Sequence, residues 1–437
     1  MGERSLHRTV TRQQAIDILL TSDKDISKLD FKGQRVLMRA DFNVPLSGNI
    51  IADDTRIRAT IPTIQLLLEK GAILILCSHL GRPDPGKQTW EEMKAKASLA
   101  PVAAALKEIL GEAFVGLAED CIGAAVAAQI ETLKPGQVLL LENTRFHKGD
   151  TKNDDAFAEA LAKSTGAQVF IMDAFGVSHR NQASVTGITK FVPRSYPGPL
   201  VRKEVLCLAN SIDVPKRPFV VVLGGAKVVD KLHIISILID KADKLIIGGK
   251  MAFTFLAAKG VPVGDTEIEE SHRVEEALQM ERKAAALHKE LYLPIDQVVA
   301  TELEPGAQTK IVWTMDFGSG KPIISNGFHG GDIGPASQQL FADALADAGT
   351  IFWNGPLGKF EVPEFSKGTY AMAKAMAAAT KRGAITIIGG GDSVSAVKAA
   401  GCTHEDFTHI STGGGASLEL IEGNKMPGLR ALTLGIS

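Results

Sequence analysis

FVVVLGGAKVVDK (Phe219–Lys231) decides the fold: an apolar run breaks into a glycine pair, and a lysine-bearing segment follows. A continuously apolar run of this length reads as a strand buried on both faces, which is what parallel sheets require. The glycines let backbone N–H groups approach an anion, and the helix that opens next adds partial positive charge. The same pattern returns in KLIIGGK (Lys244–Lys250), FWNGPLGKFE (Phe352–Glu361), ITIIGGGD (Ile385–Asp392) and HISTGGGAS (His409–Ser417). Toward the N-terminus the strands end differently, in RVLMRADFN (Arg35–Asn43), LILCSHLGR (Leu74–Arg82), VLLLENTRF (Val138–Phe146) and VFIMDAFGVSHR (Val169–Arg180). Ligands of open parallel sheets sit beyond the carboxyl ends of the strands. One half of the chain therefore offers bare backbone and the other offers cationic side chains, which suits two different anions held face to face.

Helical patterns such as IRATIPTIQLLLEKG, SLAPVAAALKEILG and YAMAKAMAAATKRG alternate with these runs, and several end in a capping glycine. Strand–helix alternation predicts an α/β fold of two Rossmann-like, three-layer α/β/α domains with mainly parallel sheets. At 437 residues the chain is too long for one ordinary core. The proline-rich stretch FVPRSYPGPL (Phe191–Leu200) marks the connection, and VRKEVLCLANSI (Val201–Ile212) reads as a hinge helix. The expected domains are 1–200 and 201–417.

Lys plus Arg (48) nearly balances Asp plus Glu (50), so neither nucleic acid nor membrane is an expected partner. The four cysteines (Cys77, Cys121, Cys207, Cys402) form no CxxC pair, which argues against a disulfide framework or a zinc site and favours a reducing compartment. Arg4, Arg8 and Arg12 resemble a weak transit signal, but Glu3, Asp17, Asp23 and Asp25 interrupt it. A surface helix over Thr11–Leu20 and a cytoplasmic location are the simpler expectation, with organelle targeting as the alternative.

In the glycine half, Lys227 and Lys231 are spaced i,i+4 and are expected on one helix face. Gly390, Gly391, Asp392 and Ser393 form a second phosphate turn, whose carboxylate is a natural Mg²⁺ ligand. Neither a Walker A loop nor a GxGxxG fingerprint is present at these turns. The expected ligand is a nucleotide polyphosphate. In the cationic half, Asp41 and Asn43 follow one strand, with Arg56 in the region beyond; His79 and Arg82, then Arg145, then His179 and Arg180 follow others. Arginine forks at successive strand ends build a pocket for a small anion.

RVLMRADFNVP, SHLGRP, LLENTRFH, DAFGVSHR, LGGAKVVDK, WNGPLGKFE, IIGGGDS and STGGGASLELIEG, in this order, resemble phosphoglycerate kinases from about Arg35 to Leu429. The resemblance implies reversible phosphoryl transfer between 1,3-bisphosphoglycerate and MgADP, giving 3-phosphoglycerate and MgATP; the two anion sites on different domains predict hinge closure, and with no oligomer interface indicated a monomer is the default expectation. It implies that Asp41, Asn43, Arg56, His79, Arg82, Arg145 and Arg180, with Arg39 nearby, bind phosphoglycerate. Lys227 would follow the transferred phosphoryl group, with Arg56 as its catalytic counterpart. Lys231, Gly248, Gly249, Gly330, Asn354, Glu361, Gly390, Gly391, Asp392 and Ser393 would hold the nucleotide, Asp392 through Mg²⁺. The resemblance also implies that 418–437 packs back on the first domain.

The chain departs from the family pattern on the nucleotide side. Lys250 stands where a third glycine is usual, His329 and Gly331 replace apolar residues, and Lys359 replaces a valine-like residue. These changes put the choice of base in question but leave phosphate binding intact. A dehydrogenase would need a GxGxxG turn with an acidic partner, which is not found. A non-catalytic sensor should have lost Arg56, Lys227 or Asp392, and all three are present.

Overall fold

The computed structural model describes residues 12–225, 231–314 and 324–433. The chain forms two compact units, Met1–Leu206 with Gly423–Ser437, and Cys207–Glu422. Arg4, Arg8 and Lys227 lie outside the described residues.

In the first unit β1 (Arg35–Arg39), β2 (Ile73–Cys77), β3 (Phe114–Leu117), β4 (Val138–Leu140), β5 (Val169–Met172) and β6 (Arg194–Pro197) form one sheet in the order β3-β4-β2-β1-β5-β6. Every pairing is parallel. The central strands are buried almost throughout, because helices such as Thr55–Glu69 and Ala100–Leu110 lay apolar faces against the sheet. The chain leaves β1 toward β2 on one side and returns to β5 on the other. Loops therefore diverge between β1 and β5, at the point where open α/β sheets take ligands.

The second unit carries β7 (Phe219–Leu223), β8 (Lys244–Ile247), β9 (Glu290–Tyr292), β10 (Asp296–Ala300), β11 (Lys310–Trp313), β12 (His329–Ile333), β13 (Thr350–Asn354), β14 (Ile385–Gly389) and β15 (His409–Ile410). Its main sheet is parallel in the order β9-β8-β7-β13-β14-β15, and a small antiparallel sheet runs β11-β10-β12. Strands β7 and β13 are buried at every position, and their loops diverge at this unit's own switch point.

The connecting helix is longer than VRKEVLCLANSI suggests: it spans Pro199–Asp213 and carries the change of unit within it, between Leu206 and Cys207. Asp173, after β5, accepts from Leu200 N at 2.9 Å and Val201 N at 3.2 Å at its first turn. The N-terminal helix is present over Arg12–Leu20, and Arg202 donates to the carbonyls of Leu20 and Thr21 at its end. The return to the first unit begins at Gly423 rather than 418, because the helix Gly415–Ile421 still belongs to the second. Gly428 N donates to Ser178 O at 2.9 Å, and Lys24 Nζ to Leu432 O at 3.1 Å.

Candidate functional site

Strand ends of the first unit gather the expected basic residues. Arg39, the last residue of β1, is fully buried; its Nε donates to Ser184 Oγ at 3.1 Å and its Nη2 meets His79 Nδ1 at 3.2 Å. Arg56, in the first turn of the helix Thr55–Glu69, donates to Asn43 O at 2.9 Å and lies 3.4 Å from Asp41 Oδ1. Asn43 Oδ1 accepts from Gly81 N at 2.8 Å, which ties the loop after β1 to the loop after β2. Arg145 sits in the turn Thr144–Phe146 after β4, donating through Nη1 to Gly81 O at 2.8 Å. Its Nε and Nη2 are buried without a partner.

These cations oppose one another. Burial, then the charges of Arg180 and Arg39, push Arg145 down to about 10. Burial and then Arg82 lower Arg180, with Asp41 acting against them. His79 is held well below its ordinary range by burial and by Arg39, Arg145, Arg180 and Arg56. Positive groups that depress one another's proton affinity would be relieved by an anion of more than one charge.

The second unit builds its site from backbone. Gly224 and Gly355, at the ends of β7 and β13, approach so closely that a Cβ on Gly224 would lie 2.1 Å from Pro356 O. Gly355 has φ +94°, and a Cβ there would lie 2.2 Å from Gly224 O. Lys231 spans this switch point, with Nζ 2.6 Å from Gly224 O and 3.4 Å from Asn354 O. It stands at the N-cap of the helix Leu232–Lys241, and the shared helix face expected with Lys227 falls on residues 226–230, outside the described residues.

Gly390 (φ +91°) caps the helix Gly391–Ala399, and Ser393 Oγ accepts from Gly355 N at 2.6 Å. Two cavities adjoin here, sharing Gly225 and Asp392. One, of about 700 Å³, is lined by Lys231, Asn354, Gly390, Gly391 and Ser393. The other, of about 540 Å³, is lined by Gly249, Gly330, Gly331, Glu361 and both unusual lysines. Gly248 lies behind them, where a Cβ would meet Leu357 Cδ2 at 2.4 Å.

The departures from the family pattern acquire physical form in the smaller cavity. Lys250 pairs with Glu267, and Lys359 Nζ donates to Leu303 O at 2.6 Å, so both amines are tied to neighbouring groups. Phe365 fills the space beside Gly331: a Cβ there would lie 2.3 Å from its ring. Gln297, on β10, lines the same cavity and escaped the sequence reading; its Nε2 is buried without a partner. Ser78 and Ser184 were missed as well, though Ser78 directly precedes His79 and its hydroxyl bonds Ala40 O and Phe42 N.

Known proteins place the chain. The family model described as phosphoglycerate kinase matches residues 26–424. The chain is 48% identical over 408 residues to the phosphoglycerate kinase of Rippkaea orientalis, covering 93% of this chain and 98% of that one. It is 47% identical over 419 residues to the chloroplastic phosphoglycerate kinase of Volvox carteri, covering 95% and 87%. The solved structure of phosphoglycerate kinase from Coxiella burnetii superposes with a TM-score of 0.80 at 38% identity, over 94% of this chain and 98% of that one. That of Pyrococcus horikoshii does so with a TM-score of 0.80 at 30% identity. With two glycine- and arginine-lined switch points and matches across nearly its whole length, the chain belongs to the phosphoglycerate kinase family.

Proposed function

We propose that the chain transfers a phosphoryl group reversibly between 1,3-bisphosphoglycerate and ADP, giving 3-phosphoglycerate and ATP, as a step of glycolysis and gluconeogenesis. The observation that carries this reading is the pairing of opposite constructions. One switch point is crowded with depressed cations, and the other is bare glycine backbone spanned by one lysine.

Phosphoryl transfer asks little covalent chemistry of a protein; it needs placement and neutralisation of the equatorial oxygens. Arg39, His79, Arg82, Arg145 and Arg180 hold phosphoglycerate, with Asp41 and Asn43 orienting its glycerate end. Arg56 and Lys227 carry the charge that develops during transfer. Lys231, Asn354, Ser393 and the turn Gly390–Gly391 take the nucleotide phosphates, while the cavity bounded by Gly249, Gly330 and Glu361 takes the nucleoside.

The donor set fits Mg²⁺. Asp392 is an exposed carboxylate shared by the two nucleotide cavities, and Mg²⁺ is commonly bound by one or two carboxylates plus substrate phosphates. When bound, the ion neutralises phosphate charge; Asp392 orients it. Each substrate has its own unit, so transfer requires a closing motion, and the helix Pro199–Asp213 that carries the chain between units is assigned as the hinge. A monomer suffices for this chemistry. Among the described residues no helix is long and apolar enough to cross a membrane, and the reaction needs none.

The deciding experiment follows phosphorylation of 3-phosphoglycerate by NADH loss in a coupled dehydrogenase assay, with MgATP and MgGTP in parallel. Turnover with ATP far above GTP is expected, since both cavity lysines are already engaged. Comparable turnover with GTP reassigns the base pocket, and no turnover with either overturns the reading.

A further inference from the structure

Asp120, Cys121 and His147 bring a carboxylate, a thiol and an imidazole together in the first unit, with one ligand-capable atom of each within 4.8 Å of the others. Nothing in the phosphoryl-transfer reading uses them. Their spacing in sequence hides the cluster, which is why the absence of a CxxC pair argued against zinc. Asp120 and Cys121 follow β3, while His147 follows the turn after β4, and the parallel pairing of these two strands sets the turns side by side.

The contacts within the cluster are those of a site closed by protons. His147 Nε2 donates to Asp120 Oδ1 at 2.6 Å. Cys121 N donates to Asp120 Oδ1 at 2.6 Å and fixes the carboxylate over its own residue. The imidazole is fixed between aromatic rings, 5.7 Å from Trp90 and 5.2 Å from Phe157 between centroids. Cys121 is buried, whereas the side chains of His147 and Asp120 keep 24% and 31% of their exposure. An ion can therefore enter from solvent and keep one coordination position for water.

We propose that this cluster is a binding site for Zn²⁺, or a divalent ion of the same borderline softness, held by Cys121 Sγ, His147 Nε2 and an Asp120 oxygen, with water as the fourth ligand. Thiolate, imidazole and carboxylate are the donors Zn²⁺ selects, and hard ions such as Mg²⁺ avoid the thiolate. Binding is a balanced exchange. The thiol releases its proton to solvent, and the imidazole proton moves to Nδ1, which frees Nε2. Two negative ligands then neutralise the dication. The 2.6 Å contact between His147 and Asp120 must widen, since metal–ligand bonds of about 2.0–2.3 Å set such atoms farther apart. One proton leaves per ion, so affinity rises with pH. The bound ion would fix the turn that also carries Arg145.

The test uses the full chain, freed of metal with a chelator and titrated with Co²⁺ as a spectroscopic substitute, then with Zn²⁺ in competition. One equivalent of Co²⁺ is expected to produce a thiolate-to-cobalt charge-transfer band and the visible bands of a four-coordinate ion, both displaced by Zn²⁺. Cys121→Ser abolishes the charge-transfer band, and His147→Gln, which removes a direct ligand, weakens affinity by at least the roughly 10- to 100-fold that loss of an outer-shell partner costs. His147→Gln alters a partly exposed side chain, so it decides the matter even if the buried serine variant fails to fold. No band in the parent chain, a band that survives Cys121→Ser through another cysteine, or unchanged affinity in His147→Gln would each overturn the site.

Discussion

Arg39 Nη2 lies 3.2 Å from His79 Nδ1, and both side chains are buried. A guanidinium only donates, so Nδ1 is the acceptor and the imidazole proton sits on Nε2. Burial first, and four arginine charges after it, hold His79 well below its ordinary range. His79 is thus a neutral donor among four arginines. Its ring is expected to show the Nε2–H tautomer by nitrogen NMR and no titration between about pH 5 and 8. The unfolded chain takes up this proton below pH ~6.5 while the folded chain does not. Stability from this group is therefore complete above that pH and falls as the solution is acidified. His79→Gln keeps an acceptor and a donor without the titration, and should flatten the acid limb of the stability profile. A limb left unchanged refutes the assignment.

Arg145 is held at a cost to the free protein. Two of its nitrogens are buried without partners, and burial with two neighbouring arginines pushes it down to about 10. An unsatisfied buried polar group costs about 1–3 kcal/mol. Arg145→Met should consequently raise the Tm of the ligand-free protein by about 2–4 °C. The same change should remove most of the stabilisation that saturating 3-phosphoglycerate confers. A lower Tm without ligand would mean that Arg145 is structural.

The strands and their glycine turns were legible because a strand buried on both faces writes a continuous apolar run. FVVVL and TIFWN are buried at every position. The arginines were legible because Arg39 ends such a run and Arg82, Arg145 and Arg180 lie in the segments that follow others. Ser184 was not, since it meets Arg39 from 145 residues away and nothing local distinguishes it. Gln297 was hidden in a short antiparallel strand, where a polar residue reads as a solvent-facing position, yet it is 1% exposed. Asp120, Cys121 and His147 come together only through strand pairing, which composition and spacing do not reveal.

Arg56 separates turnover from stability. Its side chain is 31% exposed and sits 3.4 Å from Asp41, so removing that pair should cost the fold under ~1 kcal/mol. If it carries charge that develops during transfer, Arg56→Ala lowers kcat by ~10²-fold or more, and Lys227→Ala does the same. Near-normal turnover in either variant, with thermal stability retained, ends the catalytic assignment of that residue.

Gly331 is matched to Phe365. A Cβ at Gly331 would lie 2.3 Å from the Phe365 ring, and that ring is fully buried. Gly331→Leu therefore overpacks the wall of the smaller nucleotide cavity instead of extending it. Overpacking costs typically ~1–3 kcal/mol. Combined with Phe365→Ala, Gly331→Leu should cost less than the sum of the two single changes, which chemical denaturation of Gly331→Leu, Phe365→Ala and the double variant would measure. A Gly331→Leu variant as stable as the parent would show that the ring moves freely.

Asp332 lies in the wall of the same cavity, 2% exposed, accepting from Ile333 N at 2.9 Å and Gly368 N at 2.6 Å. Those donors favour the carboxylate, but burial outweighs them and pushes the group up to about 7. The folded chain thus keeps this proton over a range where the unfolded chain, with an ordinary carboxyl near ~3.9, has lost it. Stability from the group is fully present at low pH and is lost as pH rises through about 7. Asp332→Asn cannot ionise, and its single amide oxygen can accept only one of the two N–H bonds that the carboxyl group now takes. The variant should be less stable than the parent near pH 5 by ~1 kcal/mol or more, with the gap narrowing toward pH 8. Urea midpoints taken at half-unit steps would show this convergence. Parallel profiles would place the titration on another group.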